Sequence, residues 1–239
     1  MLKRTLAVAV LAPLVVPGVV VFLAGTVATL AGVQTSGAVF ERMSLLLGAA
    51  AGQAALAGGI FALLRTARQR LLPAGNAPPR RLLAEVRTGV LWGVLLFAAS
   101  TGVDKGTKWF LRGILGAESL GVLVEREEAP VVKLVMGDGP LWLTALAIPV
   151  VVILAPLVEE LFFRGLLYPA LKSSFGRPRA VWGSAAVFAA VHLYVVHFPS
   201  VLLAGVLLAY AYDSRGSLIT PAVAHAFMNA AVLAVFLFR

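Results

Sequence analysis

The sequence contains no cysteine and very little charge. Its 239 residues include only three histidines, and Asp, Glu, Lys and Arg together make up 13% of the chain. The missing cysteines exclude disulfide bonds, thiolate metal sites and a cysteine nucleophile. Because a soluble domain usually carries about 25% charged residues, the composition also excludes an ordinary water-soluble domain. Each histidine and each acid within an apolar run is therefore informative.

Apolar residues are abundant, at 60% of the chain with a mean hydropathy of +0.95. Windows of about 20 apolar residues recur, and each is long enough to cross a hydrocarbon core of about 30 Å as a helix. The strict alternation that is typical of barrel strands is absent. We therefore predict an all-α, polytopic transmembrane helical bundle of about seven spans. The predicted spans lie at about 6–33, 43–64, 82–103, 141–171, 180–198, 199–212 and 217–238.

The net charge of +9 does not indicate a nucleic-acid partner, because the basic residues lie in short segments between apolar spans. Such loops usually stay in the cytoplasm. Their distribution predicts a cytoplasmic N-terminus, with the lipid bilayer as a partner, and we expect the membrane to be a bacterial inner membrane. Lys3 and Arg4 begin a first span that we interpret as retained, although Thr26-Val-Ala28 also has the small residues of a cleavage site.

Two regions can be separated within what we predict to be one membrane domain. Residues 1–140 contain the first three spans and the longest polar stretch, and residues 141–239 contain the remaining spans. Within the polar stretch, Lys105, Lys108 and Arg112 share one helical face, which predicts a short amphipathic helix in the membrane interface near 104–116. The second region holds the polar residues from which we predict the site.

The segment Leu157-Val-Glu-Glu-Leu-Phe-Phe-Arg164 places three ionisable residues inside an apolar run. An ionisable side chain facing lipid costs several kcal/mol, so it usually faces the bundle interior and marks a functional site. Glu160 and Arg164 are four residues apart with the acid first, the favourable order for an ion pair. Glu159 lies about 100° round the helix from Glu160. It is therefore the candidate general base.

Three further polar residues lie in the last spans. His192, His225 and Glu159 are similar distances, roughly 15–20 Å, from the nearest basic loops, which predicts a shared depth in the membrane. His225 and Asn229 are four residues apart and share a helical face. Each group alone has a structural interpretation, as an ion-pair cluster, a packing histidine or an interhelical hydrogen bond. Their combination favours a catalytic site, whereas His197, at the turn between two spans, is interpreted as structural.

The three motifs together resemble those of the membrane proteases named for CAAX processing and bacteriocin processing, also called Abi or Rce1-like. Glu159-Glu160-Leu-Phe-Phe-Arg164 matches the family's Glu-Glu-x-x-x-Arg motif. Phe188-Ala-Ala-Val-His192 matches its Phe-x-x-x-His motif, and His225-Ala-Phe-Met-Asn229 matches its final motif. All three occur in the family's order, over about residues 150–235.

The resemblance implies an intramembrane endopeptidase that cleaves a membrane-associated or lipidated peptide or protein. It implies that Glu159 activates a water molecule with help from His192. His225 and Asn229 would then stabilise the oxyanion of the tetrahedral intermediate, a role in which well-placed donors contribute several kcal/mol.

The resemblance also implies that Glu160 and Arg164 support the site. No cofactor is favoured, but a zinc-dependent version of the protease is an alternative, in which Glu159, His192 and His225 would bind the metal and water would fill the fourth position. A non-catalytic immunity or scaffold protein of the same fold is the other alternative. A transporter would call for internally repeated spans, which the sequence does not show.

Overall fold

The computed structural model describes residues 37–67 and 79–238, together with Leu23 and Thr26. The predicted first span and most of the arginine-rich linker after the second span lie outside these residues. Every regular element in the described part of the chain is helical, which confirms the predicted all-α class. In chain order these are α1 (Ala38–Ala67), α2 (Pro79–Leu115), α3 (Ala117–Met136), α4 (Leu141–Pro149), a first π-helical segment (Val150–Leu154), α5 (Ala155–Phe162), a second π-helical segment (Phe163–Leu167), α6 (Tyr168–Val191), α7 (Phe198–Arg215) and α8 (Ile219–Leu237).

Four helical stretches within the described residues are long and apolar enough to cross a membrane: Ala38–Phe61, Arg81–Leu115, Leu141–Val191 and Ile219–Leu237. The chain is accordingly an integral membrane protein, whereas the number of seven spans stays a prediction. The third stretch, of 51 residues, covers the predicted fourth span and residues 180–191 of the predicted fifth. Gly176 interrupts α6 with a φ of 78° and a ψ of 169°, inside the predicted connection between these two spans. Glycine adopts a positive φ at little cost, so it is suited to this break.

The polar stretch after the third span differs from the prediction. Residues 104–115 are not a separate interfacial helix, because they continue α2, which has 37 residues and is therefore about 55 Å long. Most of the remaining polar stretch forms α3. Charged groups within the polar stretch pair with one another: Lys108 of α2 lies 3.0 Å from Asp104 of the same helix and 3.2 Å from Glu128 of α3. Because opposite charges are paired, the charged residues of this stretch do not prevent it from forming helices.

The chain divides into two compact units. The first comprises Met1–Pro73 and Pro130–Phe162, and the second comprises Ala74–Ala129 and Phe163–Arg239. In the first unit Arg42, which lies just before the predicted second span at 43–64 and so was expected in a connecting loop, is only 2% exposed. Its guanidinium donates to the carbonyl oxygens of Leu134 and Val135, both at 3.2 Å, and of Gly137 at 2.5 Å. Arg42 thus satisfies carbonyl groups that the end of α3 leaves without helical partners.

In the second unit, α6 and α7 pack closely through small residues. A Cβ atom on Gly205 of α7 would lie 2.9 Å from the Cα of Ala185 on α6. Because backbone atoms cannot move aside as a flexible side chain can, only glycine fits at this crossing. A cluster of buried apolar residues surrounds it: Tyr168, Ala180, Val181, Ala185, Val206 and Ala209.

Two glycines on one face of α2 allow the equally close approach of α8. A Cβ on Gly89 would lie 2.7 Å from the Cβ of Val223, and one on Gly93 would lie 2.7 Å from the Cβ of Phe227. Gly89 and Gly93 form a Gly-x-x-x-Gly pattern, which brings membrane helices together because small residues let the backbones approach. This contact positions α8, the helix that carries His225 and Asn229.

We expect Gly93→Ala to destabilise the protein by about 1–3 kcal/mol, because the new methyl group must push α8 away from α2. The measurement is the thermal unfolding midpoint in detergent. Gly102→Ala on the same helix is the matched control, since a Cβ there meets nothing within 4 Å. It should keep or raise the midpoint, because alanine favours a helix over glycine by about 1 kcal/mol. Equal midpoints for the two variants would contradict the inferred role of Gly93.

Candidate active site

The two acids of the first motif lie on α5, which follows the first π-helical segment directly. Pro156 has no N–H to donate, and the adjacent Ala155 N–H bonds to the oxygen of Val150, one residue further back than in an α-helix. Single π-helical turns within longer helices are frequent at functional sites. Glu160 is only 1% exposed, whereas Glu159 is partly exposed. The two neighbouring residues therefore differ in overall exposure, although each has a carboxylate oxygen that is buried.

Arg164, at the end of the first motif, is fully buried in the second unit. One Nη atom donates to the carbonyl oxygen of Gly205 on α7 at 2.8 Å. Its Cζ atom lies 5.0 Å from the centre of the Phe188 ring and 5.7 Å from that of Phe163, within the range of a cation–π interaction. Arg164 is therefore fixed between a backbone carbonyl and two aromatic rings.

His192 lies at the end of α6, immediately after its last helical residue, and not within a longer span as the sequence predicted. Its Nδ1 atom lies 2.7 Å from the carbonyl oxygen of Phe188. A carbonyl oxygen only accepts hydrogen bonds, so Nδ1 carries the proton and donates it. In the neutral ring Nε2 is then the accepting nitrogen. This tautomer suits a residue that holds a water molecule or takes up a proton.

His225 and Asn229 lie one turn apart on α8. His225 is 3% exposed and its ring centre lies 5.7 Å from that of Phe188, in a near-perpendicular arrangement. Asn229 is partly exposed. The start of α8 is fixed by Thr220, whose hydroxyl donates to the Glu85 carboxylate of α2 at 2.5 Å. The helix that carries the third motif is thus held at its beginning by a buried polar contact.

Phe188 connects these groups. Besides Arg164 and His225, its ring lies 4.8 Å from that of His192 and 5.0 Å from that of Phe163. The structure therefore brings Arg164, His192 and His225 together around one aromatic side chain in the second unit. Sequence reasoning interpreted Phe188 only as a packing residue or a cavity wall. Its position in the Phe-x-x-x-His motif was the available signal that it contacts several residues of the site. The approach of Glu159 and Glu160, in the first unit, to the histidines stays a prediction.

Comparison with known families bears directly on these residues. The model of the family described as type II CAAX prenyl endopeptidase Rce1-like matches residues 140–231. This segment is similar to the Rce1-like family. Neither the curated proteins nor the solved structures give a significant match to the chain. The Rce1-like segment contains all six candidate residues: Glu159, Glu160, Arg164, His192, His225 and Asn229.

Residues 140–231 are thus similar to a family of CAAX prenyl endopeptidases. Among the residues that the structure describes, no group of three or more His, Asp and Glu side chains is arranged to hold a metal ion. The zinc site at Glu159, His192 and His225 stays a prediction, and we derive no reaction step through a metal.

Proposed function

We propose that the protein is an intramembrane endopeptidase that cleaves a membrane-associated or lipidated peptide or protein by means of a water molecule activated by Glu159. The observation that carries the proposal is the contact of both the His192 and the His225 ring with Phe188, within the segment similar to the Rce1-like family. We place the protein in a bacterial inner membrane with its N-terminus in the cytoplasm, on the basis of the basic loops.

In the proposed reaction the Glu159 carboxylate takes a proton from water while Nε2 of His192 accepts the second hydrogen bond of that water. The hydroxide adds to the carbonyl carbon of the scissile peptide. N–H donors of His225 and Asn229 bind the resulting oxyanion, and preorganised donors of this kind are worth several kcal/mol in a site that excludes water. The carbon–nitrogen bond then breaks, and Glu159 returns its proton to the leaving amine.

Glu160 and Arg164 have a supporting role in this proposal. Arg164 is held by Gly205 and Phe188, so its charge has a fixed position. An ion pair with Glu160 would fix the rotation of α5 about its axis, because residues four apart share a helical face. Glu159 would then be oriented towards the substrate by the helix itself.

The test compares the membrane peptides of cells that produce the wild-type protein with those of cells that produce Glu159→Gln, by mass spectrometry. We expect a set of membrane-anchored precursors to accumulate in the variant and their cleavage products to disappear. Glu118→Gln, which changes an exposed glutamate on α3, should match the wild type. Identical peptide sets in all three strains would contradict proteolysis and would support the non-catalytic scaffold or immunity protein.

The zinc-dependent version of the protease is tested separately with purified protein and a prenylated CAAX peptide that carries a quenched fluorophore. We expect cleavage to continue after treatment with a strong zinc chelator. A loss of cleavage that added zinc restores would instead support the metal-dependent reaction.

A further inference from the structure

The connection between α6 and α7 begins at His192 and has an unusual backbone. Leu193, the residue directly after His192, has a φ of 58°, and it is the one described residue other than glycine with a positive φ. Branched side chains rarely adopt this left-handed conformation, because Cβ comes too close to the following carbonyl group. The side chain of Leu193 is 76% exposed, so packing does not hold it there. Other contacts must therefore stabilise the turn.

Glu127 of α3 supplies these contacts. One carboxylate oxygen accepts the backbone N–H groups of Val195 at 2.6 Å and Val196 at 2.9 Å. The other accepts the backbone N–H of His197 at 3.1 Å and lies 2.6 Å from Nδ1 of its ring. Three consecutive N–H groups thus bind one side chain that lies far away in the sequence. A carboxylate that accepts several N–H groups makes strong, charge-assisted hydrogen bonds.

The other side of the His197 ring faces further charges. Its Nε2 atom lies 3.3 Å from Glu128 of α3 and 3.6 Å from Asp104 of α2, and Lys108 of α2 bonds to both of these acids. Both ring nitrogens therefore face carboxylates, an arrangement that favours the doubly protonated ring. Burial lowers the pKa of His197, but the hydrogen bonds to Glu128 and Glu127 outweigh burial, so that the pKa lies above its ordinary value of 6.5.

Tyr194 links this anchored end of the connection to His192. Its ring centre lies 5.8 Å from that of His192 and 5.6 Å from that of His197. The side chain therefore lies between the candidate catalytic histidine and the histidine that Glu127 holds. A displacement of the connection would move Tyr194 and would change the surroundings of the His192 ring.

We propose that Glu127 is a positioning residue for His192, because its carboxylate holds the strained connection 193–197 and, through Tyr194, the orientation of the His192 ring. The inference rests on the proposed function, in which Nε2 of His192 acts on the water. Glu127 lies outside the segment that matches the family model and does not belong to any of the three motifs. It acts on the reaction only through the connection.

The variants that test the inference are Glu127→Ala and Glu127→Gln, with Glu125→Ala as the matched control on an exposed position of the same helix. For cleavage of the quenched prenylated CAAX peptide, Glu127→Ala should lower kcat by about 10–100-fold, the usual cost of a small misplacement of a catalytic group. KM should stay within about twofold of the wild type. Glu127→Gln keeps the shape but not the charge, so its kcat should be intermediate. Glu125→Ala should match the wild type.

A second substitution separates positioning from a general loss of stability. Leu193→Asn should raise the kcat of Glu127→Ala, because asparagine adopts the left-handed conformation far more readily than leucine and needs less support from Glu127. In the wild-type background the same change should alter kcat by about twofold at most. A Glu127→Ala variant with wild-type kcat would overturn the inference, as would a double variant no more active than Glu127→Ala.

A measurement that needs no substrate distinguishes a failure of the proposed function from a failure of the positioning role of Glu127. The chain has only three histidines, so their Cε1–H signals in a histidine-labelled sample can be assigned by single substitutions. The His192 signal should shift or broaden in Glu127→Ala and remain in place in Glu125→Ala. If the wild type does not cleave the peptide but the His192 signal responds, the proposed function fails and the positioning role stands. An unchanged His192 signal in Glu127→Ala would overturn the positioning role whatever the activity.

The same contacts predict how pH acts on the connection. Burial raises the pKa of Glu127, but its N–H donors outweigh burial and the pKa lies below the ordinary 4.5. Its contribution is therefore present above pH 4.5 and lost at lower pH, whereas the contribution of His197 is present below pH 6.5 and lost as pH rises through its raised pKa. Amide protection at Val195–His197, corrected for intrinsic exchange, should fall as pH rises above 6.5. Protection that stays constant there would contradict the role of His197, and His197→Asn should remove the pH dependence.

Discussion

Glu159→Gln is expected to lower kcat by at least about 10³-fold while the protein still folds and inserts. Glutamine has the size of glutamate, but its amide cannot take a proton from water, and general base catalysis contributes about 10²–10⁴-fold. KM should change little, because the substituted group acts on the water and not on the peptide. The measurement is single-turnover cleavage of the quenched prenylated CAAX peptide by purified protein, together with its thermal unfolding midpoint.

A substitution of Glu160, the acid next to Glu159 in the chain, should have a different effect. Glu160 is almost fully buried, and Arg164 is fully buried. The ion pair between these two side chains stays a prediction, and removal of one partner from a buried ion pair typically costs about 3–5 kcal/mol, because the other charge is left uncompensated. We therefore expect Glu160→Gln to lower the unfolding midpoint strongly and Glu159→Gln to leave it nearly unchanged. Full activity of Glu159→Gln would contradict the assignment of the base, and an equal loss of stability in both variants would assign Glu159 a structural role.

The features that the sequence predicts correctly depend on local patterns. The all-α class follows from apolar runs of membrane-spanning length, and the break between the predicted fourth and fifth spans follows from a short polar segment that contains Gly176. The Rce1-like resemblance follows from three short motifs whose residues are four or five positions apart, so each lies on one or two helical turns. Such patterns can be recognised without knowledge of which helices are neighbours.

The features that the sequence does not predict depend on contacts between distant segments. Arg42 appeared to be a loop charge because its acceptors, at the end of α3, are about 90 residues away. Glu127 appeared to be one of several acids in a polar loop, because nothing in its vicinity indicates that it binds three N–H groups about 70 residues later. Only a short helix near 104–116 was predicted in the polar stretch for the same reason: the pair between Lys108 of α2 and Glu128 of α3 joins distant residues, and such a pair leaves no periodic trace in a sequence.

A substitution at His192 tests which of its nitrogen atoms acts in the reaction. The structure offers two roles, because Nδ1–H binds the carbonyl oxygen of Phe188 and Nε2 is the accepting nitrogen. His192→Asn places an amide N–H near the position of Nδ1 and so can keep the first bond, but it provides no counterpart to Nε2. His192→Gln reaches towards the position of Nε2, but its amide cannot take up a proton at neutral pH.

We expect both variants to lower kcat by about 10²–10³-fold, because neither amide reproduces the basic Nε2 atom that accepts the hydrogen bond of the water. His192→Asn should keep an unfolding midpoint close to that of the wild type, since the end of α6 retains its bond to Phe188. A packing role for His192 predicts the opposite pattern, with kcat preserved in His192→Asn and the midpoint lowered in His192→Gln. The two substitutions together therefore separate a histidine that reacts through Nε2 from one that only completes the end of a helix.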